Sequence, residues 1–142
     1  METKTSAVSE EVAVKELVDF YNHFSLEPLT EDEVLDDLNI AKLAVMEGLL
    51  SFDKETKVPT YKLRNAILND KKEPTLEEVT FKTRIFPNDH VRLSKGINIQ
   101  KETMAYAMRC TAHLASLPSP AYLNKFSRFD YTVIQQIGTV FA

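Results

Sequence analysis

The chain has 142 residues, of which 44% are hydrophobic and 27% charged, with one cysteine and a formal net charge of −4. This length fits one domain with its own core, and the composition excludes collagen-like, low-complexity and wholly disordered proteins. The charge-free run over residues 131–142 is shorter than the about twenty apolar residues that a membrane-spanning helix needs. Cys110 cannot form an internal disulfide, which fits a reducing compartment.

Charge is divided between the two parts of the chain. Residues 1–57 contain fourteen Asp or Glu and five Lys or Arg, a net of −9, whereas residues 58–142 contain seven and twelve, a net of +5. Opposite charges attract, so the first interpretation is neutralisation within the molecule, and a basic surface for nucleic acid is the second. If the acidic part only neutralises, the rest should fold without residues 1–29. The polar, acidic N-terminus lacks signal-peptide features and predicts a cytoplasmic protein.

The pattern predicts a disordered arm over residues 1–8 and a single α+β domain over residues 9–142. The domain begins with an acidic helical part, residues 9–48. Ser9 can cap a first helix that ends near Phe24, with an apolar face formed by Val14, Leu17, Val18 and Tyr21.

The acidic part continues with a second helix. Pro28 breaks the first helix, and Thr30 with Glu33 forms a capping box for the next one. That helix is predicted to continue to Gly48, which suits a left-handed helix end. Its acidic residues lie in the first two turns, where the helix dipole favours negative charge without any metal or catalytic role.

Residues 49–142 begin with strands. The spacing predicts a hairpin formed by residues 49–53 and 60–63. It also predicts a third strand over residues 79–85 with one solvent-exposed face. A short helix closed by Gly96 follows, and after it a helix over residues 100–117. This helix has two apolar stripes and is therefore expected at the centre of a helical bundle. The predicted fold class is α+β, mostly helical, with a small antiparallel sheet packed against that bundle.

Two groups of residues could carry chemistry. Cys110 and His113 are three residues apart on the central helix, but a zinc site needs three or four ligands and a catalytic pair needs an orienting group. No third residue is evident in the sequence, so both are interpreted as structural, and no catalytic residue, metal or cofactor is predicted. The one candidate basic patch consists of Lys82 and Arg84 on the exposed strand face, with Lys62, Arg64, Lys71, Lys72, Arg92 and Lys95 nearby in sequence. Solvated charges on an edge strand are the simpler explanation of this patch.

The last predicted helix, residues 127–141, is unusual because it carries almost no charge. Ser127 and Asp130 form a capping-box-like start. One face contains Val133, Ile134 and Ile137 and is expected to pack on the domain, whereas the opposite face is nearly neutral. Such a face is typical of contact with the rest of the chain or with a partner.

Three segments resemble the tail assembly chaperones of phages and Mu-like prophages, over roughly residues 34–142. The first is EGLLSFD with YKLRNAI, the second is FKTRIFPNDHVRLSKG, and the third is the C-terminal segment from TAHLASLPSP onwards. The residues that carry the resemblance are Gly48, Leu50, Phe52, Tyr61, Leu63, Asp89, Leu117, Pro118, Leu123, Asp130 and Tyr131.

The resemblance implies a non-enzymatic assembly factor of the bacterial host cytoplasm that is absent from the mature virion. Such a protein binds the tape measure protein during tail morphogenesis, and the tail tube protein is a further expected partner. Self-association is also expected as an alternative use of the same surface. The residues predicted to face a partner are Tyr122, Phe126, Phe129 and Gln136. A small nucleic-acid-binding phage regulator, using the basic strand face, is the competing hypothesis.

Overall fold

The computed structural model describes residues 9–25, 27 and 29–141. The architecture is α+β and 53% helical, with seven helices and a three-stranded antiparallel sheet in the described residues. The helices are α1 (Glu10–Phe24), α2 (Glu31–Asp37), α3 (Asn39–Met46), α4 (Pro87–Leu93), α5 (Thr103–Leu114), a 3₁₀ helix (Pro120–Lys125) and α6 (Arg128–Phe141). The strands β1 (Leu50–Phe52), β2 (Pro59–Leu68) and β3 (Pro74–Thr80) pair in that order. The predicted fold class is confirmed, and the arm predicted at residues 1–8 lies outside the described residues.

Helix α1 forms part of the hydrophobic core. Ser9 caps it as predicted, with its Oγ accepting a hydrogen bond from the Val12 amide at 3.4 Å. The side chains of Ala13, Leu17 and Phe20 are fully buried. The buried face of α1 is therefore offset by one position from the predicted face, because Val14, Val18 and Tyr21 are only partly buried. The small Ala13 side chain lets α1 approach α2 and α3, which the helical period alone does not indicate.

The helix predicted between Thr30 and Gly48 is in fact two helices. Its start is as predicted, because the Glu33 carboxylate accepts from the Thr30 amide at 2.9 Å and completes the capping box. Its end is also as predicted, since Gly48 has a φ of 79°. Between them, Leu38 leaves helical geometry with φ −119° and ψ 33°, so that α2 and α3 meet at a buried leucine.

The hairpin between β1 and β2 forms where it was predicted, but β2 continues to Leu68 rather than ending at Leu63, and the third strand begins earlier. Leu50 pairs with Tyr61, whereas β3 covers residues 74–80 rather than 79–85. The polar stretch between β2 and β3 is a tight turn, in which the Asn69 side-chain oxygen accepts from the amides of Lys71 and Glu73 at 2.8 and 2.9 Å.

After Thr80 the chain leaves the sheet, and Lys82 hydrogen-bonds to another element. The Lys82 amide donates to the Leu114 carbonyl, at the end of α5, at 2.7 Å. Val79, Phe81 and Ile85 are nevertheless buried. An irregular segment rather than a strand buries the last two, and Thr83, which the alternation places on the same side, is exposed.

Helix α5 lies at the edge of the core, so the prediction of a central helix over residues 100–117 is wrong. Cys110, Ala112 and Leu114 in its C-terminal half are buried, whereas Met104 near its start is 68% exposed. The fully buried side chains belong mainly to α1, α3, α6 and the sheet. Alanine and methionine tolerate exposure, so an apolar stripe built from them does not by itself require burial.

Candidate partner-binding groove

Helix α6 is anchored by a buried carboxylate in its first turn. Asp130 has no exposed surface, and its amide donates to the Ser127 Oγ at 3.3 Å, as the predicted helix start requires. Its carboxylate accepts from the backbone amides of Arg64 and Asn65, both at 3.0 Å, and from the Tyr61 hydroxyl. Sequence reasoning explained Asp130 only as part of a helix start and missed this link to β2.

The Asp130 carboxylate binds β2 where the strand is irregular. The register between β2 and β3 shifts between Lys62 and Ile67, so a side chain of α6 hydrogen-bonds the backbone at the bulge. Burial is the main reason why the pKa of Tyr61 lies well above its ordinary value, and the hydrogen bond to Asp130 raises the pKa further. The phenol therefore stays protonated and remains a donor to the carboxylate at all physiological pH values.

Gln136 holds the start of α3 rather than facing outward. Its side-chain oxygen accepts from the amides of Ile40 and Ala41 at 3.1 and 2.9 Å, and its nitrogen donates to the Asn39 side chain at 2.8 Å. Leu38, the residue that precedes α3, has no side-chain hydrogen bond to offer. The side-chain amide of Gln136 thus supplies the cap that α3 lacks. The prediction that Gln136 faces a partner is therefore corrected.

The other three residues predicted to face a partner do not form one open surface. Phe126 is buried, at 9% exposure. The Arg64 guanidinium lies over the Phe129 ring at 3.7 Å, and the Lys125 ammonium lies 4.7 Å from the centre of the Tyr122 ring. The aromatic faces are therefore occupied by cations of the same chain. A role of these residues in partner binding stays a prediction.

An apolar groove lies between α5 and α6. It encloses about 320 Å³. Helix α6 contributes Gln135, Gly138 and Thr139, which belong to or adjoin the face that the sequence identified as neutral. The remaining lining residues are Ile85, His90, Tyr106, Ala107, Cys110, Thr111 and Leu114. Part of the neutral face of the last helix thus forms one wall of a groove.

A second cleft adjoins the groove and reaches the C-terminal end of α1. The two share Ile85 and His90, and the second encloses about 810 Å³. On the floor of the groove, a Cβ added at Gly138 would lie 4.0 Å from the Thr111 methyl, an ordinary contact distance. Glycine thus leaves room between α5 and α6 that a larger side chain would fill.

The predicted pair of Cys110 and His113 is divided between two environments. Cys110 lines the groove, and burial raises the pKa of its thiol. His113 Nε2 lies 3.4 Å from Asp89 Oδ2, an ion-pair distance without hydrogen-bond geometry. Burial lowers the pKa of His113, and Asp89 partly opposes this shift. A thiol whose pKa is raised has less of the nucleophilic thiolate at neutral pH.

The predicted basic strand face is not formed, because β3 ends before Lys82 and Arg84. The Lys82 ammonium donates to the His113 carbonyl and the Ser116 hydroxyl, both at 3.1 Å. Arg92 donates to Asp89 at 3.2 Å. Within residues 9–25, 27 and 29–141, one ion pair joins the acidic and basic parts, between Arg64 and Glu47 at 2.5 Å.

Comparisons with protein-family models, with curated proteins and with solved structures found no match to this chain. The helices of the described residues are all too short or too polar to cross a membrane. The described residues also contain no group of three or more His, Cys, Asp or Glu side chains that could hold a metal ion.

Labelling of the single cysteine tests the description of the groove wall. We expect Cys110 to react with a thiol reagent at pH 8 at least about tenfold more slowly in the native protein than in urea, because the thiol is buried and protonated. Mass spectrometry over time gives both rates. Equal rates in the two states would show that this part of α5 is open, and would revive Cys110 as a reactive residue.

Proposed function

We propose that this protein is a non-enzymatic phage tail assembly chaperone that binds the tape measure protein in the cytoplasm of the bacterial host. The observation that carries the proposal is the apolar groove between α5 and α6, one wall of which is the nearly uncharged face of α6. A groove of this kind suits an amphipathic helix, whose apolar side chains enter it at helical spacing.

Two further features support this class of function. Large hydrophobic side chains are exposed on α4, on α5 and on the residues between them, as is common at protein interaction sites. Asp130 is used within the fold at the bulge of β2, and His113 lies beside Asp89. Binding to the tail tube protein and absence from the finished virion belong to the same proposal.

Co-expression with the tape measure protein of the same phage tests the proposal. A chaperone should raise the soluble fraction of the tape measure protein and co-purify with it, because it covers apolar surface that otherwise aggregates. The matched control is co-expression with an unrelated soluble domain of similar size and charge. A tape measure protein that is equally insoluble in both cultures would refute the proposal. Mass spectrometry of purified virions should find the tape measure protein and not this chain.

The competing function, a nucleic-acid-binding regulator, gains no support from the position of its cations. Lys82 and Arg92 are bound to groups of the same chain, and the Arg84 guanidinium lies 4.2 Å from the centre of the Phe86 ring. Filter binding across a salt series distinguishes the two functions, because phosphate contacts weaken steeply with salt.

A further inference from the structure

A hollow with two arginines lies on the opposite side of α5 from the groove, between α4, α5 and the segment that follows α5. This arginine hollow encloses about 420 Å³, which is within the usual range for small-ligand pockets. It shares no lining residue with the groove. The polar side chains that line it are those of Arg92, Arg109, His113 and Ser119.

The arginine hollow carries positive charge. Arg92 from α4 and Arg109 from α5 both line it, and no Asp or Glu of the described residues does. Asp89, which binds Arg92 at 3.2 Å, lines a neighbouring hollow that has only His113 in common with this one. Asp89 therefore offsets part of the charge of Arg92, whereas Arg109 forms no ion pair with the described residues.

Both guanidinium groups are held in place through one nitrogen each. Arg109 Nη1 donates to two backbone carbonyls, at the end of α4 and just beyond it, at 3.1 and 2.8 Å. Arg92 Nη2 lies 3.2 Å from Asp89 Oδ1 and 3.3 Å from His113 Nδ1. The Nε and the other terminal nitrogen of each side chain make no hydrogen bond to the described residues, so these donors remain for a ligand. Because the groups are already oriented, they lose little freedom when an anion binds.

The rest of the lining is apolar. Leu93 and Ala112 are buried, and the segment after α5 adds Leu117, Pro118 and Pro120. A ligand that fills the hollow therefore needs an apolar part beside its charged group. The planar guanidinium group matches carboxylate and phosphate oxygens, which accept two parallel hydrogen bonds from it.

We propose that the arginine hollow binds a small organic anion in which a carboxylate or phosphate group is joined to an apolar body. The anionic group accepts hydrogen bonds from Arg92 and Arg109, with the Ser119 hydroxyl as a further donor. The apolar body lies against Leu117 and Pro118. This site is independent of the proposed chaperone function, because it lies outside the groove.

NMR titration of the isotope-labelled full chain with benzoate and with phenyl phosphate, at constant ionic strength, tests the site. Each anion should give saturable shifts at the His113 ring and should leave the ring of His23, which is outside the hollow, unchanged. The tighter of the two identifies the charged group. Benzamide, the neutral isostere of benzoate, should bind about tenfold more weakly or less. Equal affinity for benzamide, or shifts that saturate with neither anion, would overturn the proposal.

Three arginine variants locate the bound anion. Arg92→Gln and Arg109→Gln each remove one guanidinium from the hollow, and each should weaken binding of the tighter anion by about tenfold or more. Arg128→Gln is the matched control, because Arg128 lines a separate hollow beside Phe129. Salt screens a charge outside the site, so this variant should change the affinity by less than about twofold.

The variants also distinguish a site from a general attraction of anions to the protein. An affinity that Arg92→Gln leaves unchanged would refute the site, and an equal loss in all three variants would show general attraction, which also refutes it. Circular dichroism and thermal midpoints check folding, because Arg109 holds two carbonyls of the fold. The Arg92 side chain is 60% exposed, so Arg92→Gln decides the question if Arg109→Gln does not fold.

Discussion

Asp130→Ala is expected to lower the free energy of unfolding by about 3–5 kcal/mol. The carboxylate accepts hydrogen bonds from two backbone amides of β2 and from the Tyr61 hydroxyl, and it is fully buried. Hydrogen bonds to charged groups contribute about 1.5–3 kcal/mol each, and donors left unpaired in the interior add their desolvation cost. Removal of one side chain would therefore affect both the bulge of β2 and the start of α6.

Urea unfolding, monitored by circular dichroism, measures this loss of stability. Two conservative variants separate the contributions of the individual hydrogen bonds. Tyr61→Phe removes only one of the three donors and should cost about 1–2 kcal/mol. Asp130→Asn keeps the shape and one acceptor oxygen, so its cost should lie between those of Tyr61→Phe and Asp130→Ala. A cost below about 1 kcal/mol for Asp130→Ala would show that water satisfies the amides of the bulge equally well.

Phe20→Ala is expected to cost about 3–5 kcal/mol, because Phe20 has no exposed surface and its loss would leave a cavity. Its ring centre lies 4.8 Å from that of Phe52 and 5.6 Å from that of Phe141. One side chain of α1 thus joins the first hairpin to the last turn of α6. Thermal and urea unfolding give the loss of stability.

Val12→Ala on the same helix is the control for Phe20→Ala. Val12 is 47% exposed, so its truncation should change stability by less than about 0.5 kcal/mol. If both variants cost equally little, α1 would be dispensable. In that case the first interpretation of residues 1–29, as an acidic part that neutralises charge and is not needed for folding, would hold. The three fully buried side chains of α1 contradict that interpretation.

The candidate site could be predicted in part. The low charge of α6 can be read from a helical wheel, and it is the reason why this helix was predicted to face a partner. The residues chosen from it were Tyr122, Phe126, Phe129 and Gln136, and the structure instead uses Gln136 to cap α3 and buries Phe126. A helical wheel separates the faces of α6, but it does not say which neighbour covers each face. Finding the groove required the position of α5, and the sequence pattern wrongly placed this helix at the centre of the bundle.

Features fixed by neighbouring residues were determined by the sequence alone. The caps at Ser9 and Thr30 and the left-handed Gly48 involve groups within a few residues of each other. Their free energies are local, so the same residues favour the same geometry in most folds. The buried face of α6 was also determined, because Val133, Ile134 and Ile137 recur at the helical period.

Only the tertiary structure decided what the polar side chains of α6 do. Asp130 is 66 positions from Arg64, and Gln136 is 95 positions from Ala41. Each bond forms because folding brings α6 against the bulge of β2 and the start of α3, and a buried amide without a partner would be costly there. A carboxylate or an amide on a helical wheel carries no information about a partner so far along the chain, and so its role depends on the packing of the whole molecule.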